Sequence, residues 1–373
     1  MIAQPRVKKI LGESHRNNRR LSRAQLGFTL VELLVALALS AVIAAAAVAS
    51  LSVAQQGFTS VDASTQLRDN GRFATDLIQR LAVQSGYQDV TFAGATRQNE
   101  FAVKGAASNP DPNVTGADNA LVKLSLLPDI TSAYINRNGA SSANSGCASS
   151  TDTSCANGSD VLILRYQSSA SVADATTTDG SMINCAGAAE TTVPIDKNDR
   201  IISIFHVARS SNGEPSLMCS YLASGVWTTQ PVVQGVESFQ VLYGVDGFSG
   251  TANAAFTGPQ DSVPDKYLRA SQMVVGGVAD SAATYDNWRR VRSLRIGLVL
   301  RGPANSLVDK SAANIAKLCP LGSDPDTPTN CIDQGSGSTS MGSEFPRATT
   351  IPNDGRLRQT LTFTVFLRNV QTQ

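Results

Sequence analysis

Two histidines, six cysteines and one glutamate set in an apolar run are the side chains of this 373-residue sequence that offer chemistry. His15 and His206 each stand alone: no H-E-x-x-H pair, no G-x-S-x-G elbow and no G-x-x-x-x-G-K-[ST] phosphate loop is present. His206 lies in the alternating run RIISIFHV, where a hydrogen-bonded core imidazole is expected rather than a general base. Asp324 and Asp326, in SDPDTPTN, read as turn formers beside prolines, and no EF-hand spacing of acids occurs. Trp227 and Trp288 read as buried anchors. These residues point away from an enzyme, with no cofactor and no metal.

The cysteines, Cys147, Cys155, Cys185, Cys219, Cys319 and Cys331, form no C-x-x-C pair, which disfavours zinc and dithiol redox chemistry. Their even number suits disulfides in an oxidising compartment. Nearness in sequence favours Cys147 with Cys155, Cys185 with Cys219, and Cys319 with Cys331, one choice among fifteen.

The glutamate is the most informative of these groups. Residues 28–54, FTLVELLVALALSAVIAAAAVASLSVA, are apolar or small apart from Glu32 and a few hydroxyls, and are longer than the ~20 residues a bilayer core requires. A carboxylate at membrane depth costs on the order of 3 kcal/mol and calls for a partner. A secretory signal would place its small cleavable residue after the apolar run; here Gly27 precedes it. Cleavage between Gly27 and Phe28 would retain the helix and make Glu32 the fifth residue of the mature chain. There it would sit near a helix N-terminus, which favours anions, and within reach of a free α-amino group on its own or a neighbouring chain.

Charge distribution supports the same division. Seven of the 31 basic and one of the 30 acidic side chains lie in the first 27 residues, leaving 24 and 29, so a +6 leader precedes a remainder near −5. A basic flank before an apolar run fits the cytoplasmic side of a membrane, and the acidic remainder argues against broad nucleic-acid binding. A local patch at Arg289, Arg290, Arg292 and Arg295 is the exception.

Stepping outward to the elements, Leu67, Ala74, Ile78 and Leu81 recur at helical spacing, and Gly86 follows as a C-terminal cap. One helix from Phe28 to about Ser85 would reach roughly 87 Å at 1.5 Å per residue, the alternative being two helices separated near Gly57. Beyond it the period becomes two. Residues 121–127, 160–167, 200–207, 236–245, 292–300 and 360–369 read as strands. In the last of them Leu361, Phe363, Val365 and Leu367 share a face suited to lie on the helix. An antiparallel sheet is the simplest architecture, with long polar loops at 105–119, 136–159, 168–190, 246–290 and 303–355.

GFTLVELLVALALS resembles the class III prepilin signature of type IV pilins and type II secretion pseudopilins. That resemblance implies cleavage after Gly27 by a prepilin peptidase, N-methylation of Phe28, and an assembly role for Glu32. LRDNGRFATDLIQRLAVQSGY, VESFQVLYGVD, VRSLRIGLVLRG and LRQTLTFTVFLRN resemble the PilW family of minor type IV pilins. The implied fold is α+β and type IV pilin-like: a long N-terminal helix, part membrane and part amphipathic, packed on an antiparallel β-sheet domain with long loops. The implied organisation is a cleaved leader (1–27), a transmembrane and pilus-core helix (28–56), its amphipathic continuation (57–86), and a periplasmic or extracellular β-rich domain (87–373).

The implied role is a minor pilin that primes pilus assembly from the inner membrane. Its partners would be other minor pilins, the major pilin, the prepilin peptidase, the inner-membrane assembly machinery, membrane lipid and a tip adhesin. A J-type minor pseudopilin of type II secretion and a pilus-tip adhesive or DNA-binding module are the alternatives.

Overall fold

The computed structural model describes residues 27–89, 111–118, 120, 122, 158–194, 200–223, 225–279, 281–307, 318–323, 331, 345 and 354–369. The chain divides into two compact units, residues 1–55 and 56–373.

Helix α1, Leu30–Gln84, runs unbroken for 55 residues through Gly57, so the two-helix alternative does not occur. From Ala63 onward it buries Ala63, Leu67, Gly71, Ala74, Ile78 and Leu81, steps of three or four that make one stripe of a 3.6-residue helix. It ends at Gly86, whose φ of 76° suits glycine alone and whose N–H donates to the Arg165 carbonyl at 2.9 Å.

Among the described residues nine strands follow, in two antiparallel sheets rather than one. The first sheet orders β1 (Val114–Ala117), β2 (Val161–Tyr166), β3 (Ile201–Arg209), β4 (Pro215–Ala223) and β5 (Val226–Gln234) in sequence. The second comprises β6 (Val236–Val245), β7 (Lys266–Leu268), β8 (Val291–Arg301) and β9 (Arg358–Phe366), in the order β7-β6-β8-β9. A single residue, Gly235 at φ 80°, carries the chain from β5 into β6 and so from one sheet to the other. Its N–H donates to the Pro215 carbonyl, and a Cβ there would fall 2.7 Å from the Arg301 oxygen.

The expected strands at 160–167, 200–207, 236–245, 292–300 and 360–369 correspond to β2, β3, β6, β8 and β9. That at 121–127 lies almost wholly outside the described residues. β1, β4, β5 and β7 are additions. Segment 246–290, expected as a loop, holds β7, two 3₁₀ turns (Ala270–Met273 and Val275–Gly277) and helix α2 (Ala282–Arg289).

One apolar core joins the α1 stripe to both sheets. Leu67, Ile78 and Leu81 pack with Leu162, Leu164 and Phe205 of the first sheet and with Phe239, Leu298 and Val365 of the second. α1 and β9 run in the same direction: Gly71 lies beside Leu361, and the Asn369 amide just past β9 donates to the Val83 and Ser85 carbonyls at 3.2 and 3.0 Å. An ion network closes the same region. Arg301 bridges Glu214 (2.6 Å) and Glu237 (3.0 Å), Arg356 reaches Glu214 (3.2 Å), and Arg358 bridges Glu237 (2.6 Å) and Asp354 (2.8 Å). It links the turn entering β4 to β6, β8 and β9, and hence the two sheets.

Candidate assembly site

The start of α1 is set by two side chains. The Thr29 N–H and hydroxyl both donate to Glu32 Oε2, at 3.0 and 3.1 Å, while the Glu32 N–H donates back to Thr29 Oγ1 at 3.3 Å. Leu33 N to the Thr29 carbonyl, at 3.1 Å, is the first helical bond. This is a capping box, T-x-x-E, in which two of the orphan N–H groups of a first turn are satisfied reciprocally. It places the carboxylate at the positive end of the helix dipole. Oε2 takes both bonds, and Oε1 takes none among the described residues. The pattern is legible in Thr29-Leu30-Val31-Glu32, but sequence reasoning singled out Glu32 alone and missed Thr29.

Around this cap the chain is bare. Phe28 is 85% exposed, and every residue from 27 to 59 is exposed. A Cβ on Gly27 would meet nothing within 4 Å, so no contact among the described residues demands glycine there. α1 is long and apolar enough to cross a membrane.

The other described residues marked by sequence belong to the second unit. His206 is buried in β3; its Nε2 meets Ser220 Oγ at 3.0 Å, which in turn meets Thr229 Oγ1 at 2.6 Å. Burial lowers the imidazole to about 4, so it is neutral at physiological pH. Trp288 is buried edge-on against Tyr243, with ring centroids 4.8 Å apart, whereas Trp227 is half-buried.

The suspected basic patch is no free surface. Arg289 pairs with Asp286 (2.8 Å) and Arg292 with Asp246 (3.1 Å); Arg290 donates to the Gly258 carbonyl (3.0 Å) and Arg295 to that of Leu321 (2.9 Å). Disulfides join Cys185 to Cys219 and Cys319 to Cys331, with Cα separations of 5.6 and 5.0 Å. Cys147, Cys155, Asp324 and Asp326 lie outside the described residues. Among the described residues no group of three His, Cys, Asp or Glu side chains is placed to hold a metal.

Sequence reasoning also missed a buried cluster, because its members are far apart in the chain. Arg165 donates to the Pro112 carbonyl and pairs with Asp111 at 3.3 Å; Asp111 also accepts from the Tyr285 hydroxyl at 2.7 Å. Arg200 donates to the Asp111 carbonyl at 2.7 Å, and burial together with Arg165 lowers it to about 9.

Residues 204–369 match the family model for type IV pilus-assembly protein W, PilW, and residues 22–48 match the prokaryotic N-terminal methylation motif. No curated protein matches. Among solved structures, a type IV-like pilin from Thermus thermophilus, TTHA1219, is similar at 12% identity over 82% of this chain and 98% of that chain, with a TM-score of 0.32.

Proposed function

We propose, on the premise that a chain with a PilW region behind an N-terminal methylation motif is a PilW-like minor type IV pilin, that Glu32 is its assembly charge and that the Gly27–Phe28 bond is its processing site. The protein is a structural subunit that interacts with other pilins and with the pilus machinery, and its apolar helix fits a membrane-anchored pilin. The finer reading is ours. A prepilin peptidase removes residues 1–27 and Phe28 is N-methylated. Residues 28–56 then hold the inner membrane and later the fibre core, 57–86 continue the helix, and 87–373 fold in the periplasm. Minor pilins, the major pilin and a tip adhesin are its partners, and it performs no catalysis.

The observation that carries this reading is the half-satisfied carboxylate. The capping box neutralises part of the cost of Glu32 in an apolar setting, and Oε1 stays open for a donor from outside the chain. A neighbouring subunit's Phe28 amine is such a donor, and the pair would offset the cost of holding a charge among hydrocarbon. The open space at Gly27 supports an external requirement for glycine there, as a peptidase would impose.

Two measurements test it. Intact mass after co-expression with the peptidase should show loss of residues 1–27 and gain of one methyl group; a chain keeping its leader refutes the processing step. Glu32→Gln preserves size and removes the charge, and co-purification with partner pilins should fall at least tenfold. Undiminished co-purification would sink the charge pairing.

A further inference from the structure

Four of the described strands end a sheet: β1, β5, β7 and β9. Exposed edges invite pairing with foreign strands, and proteins guard them with short length, proline, charge or bulges. β1 has four residues and β7 has three. β5 carries Pro231, and its ladder with β4 is broken between Leu217 and Met218. β9, RQTLTFTVF, has none of these guards past Arg358: no proline, no charge, and an unbroken register with β8 over nine residues.

Its open side can be read from the ladder. The Leu367 N–H donates to the Arg292 carbonyl at 2.8 Å, so antiparallel alternation turns the amides of Leu361, Phe363 and Val365 toward β8. Those of Thr360, Thr362, Thr364 and Phe366 face outward, and no described hydrogen bond meets them. All four residues are exposed, Phe366 at 65%. Arg368, at the end of the same edge, is exposed and in no ion pair among the described residues.

A second copy of this chain is the wrong occupant. Antiparallel pairing of two β9 edges would reverse one copy relative to the other, and since α1 runs with β9, the two α1 helices would run opposite ways. Subunits that enter one membrane by the same end cannot do so. Parallel self-pairing would set the leucine face of one copy beside the threonine face of the other.

We propose that the β9 edge takes up an extended strand of a different pilin subunit, completing the β7-β6-β8-β9 sheet across the subunit boundary. The strand would run at least five residues, β-branched or aromatic side chains alternating with hydroxylic ones, with a carboxylate at the end that meets Arg368. This rests on the reading of the chain as a pilin subunit.

Hydrogen–deuterium exchange, resolved to single amides, tests it on the full chain in detergent micelles, alone and co-expressed in turn with each other pilin of the same cell. With one of them, the amides of Thr360, Thr362, Thr364 and Phe366 should exchange at least tenfold more slowly than in the chain alone. Those of Leu361 and Phe363, already held by β8, should not change. Thr364→Pro removes one outward N–H and should abolish the effect; Thr364→Val, which keeps it, should not. If Thr364→Pro also loses protection at Ile296 and Leu298, Thr364→Lys replaces it and must weaken the pairing tenfold. Co-purification with a pilin while the four amides exchange as before overturns the edge proposal and leaves the pilin reading standing. Co-purification with none overturns the reading and the proposal together. Slowed exchange in the chain alone that grows with its concentration shows self-pairing and also overturns the proposal.

Discussion

His206 and Thr29 are single residues whose environments make measurable demands. Burial holds the His206 imidazole at about 4 against 6.5 for the free side chain. The unfolded chain therefore takes up a proton that the folded one refuses as pH falls. The associated stability is complete above about 6.5 and is lost between about 6.5 and about 4, by on the order of 3 kcal/mol. Denaturation across this range should show the slope in the wild type, and His206→Gln should flatten it. At the helix start, Thr29→Ala removes the capping hydroxyl and should cost about 1 kcal/mol of first-turn stability. That is about a fivefold rise in amide exchange at Glu32 and Leu33, the two amides that Thr29 holds. Glu32 stands out in the sequence because it is the lone acid of an apolar run. Thr29 was equally legible as the first letter of T-x-x-E, yet a hydroxyl beside a phenylalanine attracts no notice until its bonds are seen.

At the scale of elements, periodicity decided what could be foreseen. Leu67, Ala74, Ile78 and Leu81 announce the helical stripe, and all four are buried. Ile78→Ala should cost 2–5 kcal/mol, roughly the range for a large-to-small change in a closed core, as read by chemical denaturation of the full chain. β2, β3, β6, β8 and β9 are apolar runs or clean alternations and stand out for that reason. β5 does not, because VWTTQPVVQ contains proline and polar residues suited to an edge. Segment 246–290 was unreadable for a different reason: side chains acting on distant backbone, without period, hold it. Asp118 accepts from the Ala270 and Ser271 N–H groups, Asp246 from those of Asp261 and Ser262, and Asn287 binds the Ala254 and Met273 carbonyls. Asn287→Ala takes the amide donor from both carbonyls and should loosen α2 and both 3₁₀ turns, seen as faster exchange confined to 250–290.

For the whole molecule, the ion network and the shared core bind parts of the chain that are far apart in sequence. Glu237 is buried between Arg301 and Arg358, so Glu237→Ala takes one of two carboxylate partners from each guanidinium, leaving Arg301 with Glu214 and Arg358 with Asp354, and should cost about 1–3 kcal/mol. Burial alone would raise Glu214 and Asp354, but bonds and charge from Arg301 and Arg356 on the first, and from Arg358 and Arg356 on the second, outweigh it. Both carboxyls are held below their ordinary values. Their contribution is present above the ordinary carboxylate values and is lost as pH falls from these toward the lowered ones, so acid should loosen the junction of the two sheets from about 4.5 downward, where the His206 slope is ending.

The placement of α1 beside β9 has a further consequence for the order of synthesis. An early element buries its stripe partly against a much later one, so Leu361 reaches Gly71, and Asn369 reaches Ser85, only once the ribosome has passed residue 369. A chain that stops short of residue 354 lacks the strand that covers this part of the helix and three carriers of the ion network, Asp354, Arg356 and Arg358. Truncated products should therefore display apolar helix surface to quality-control proteases, while only chains that include β9 present a closed domain.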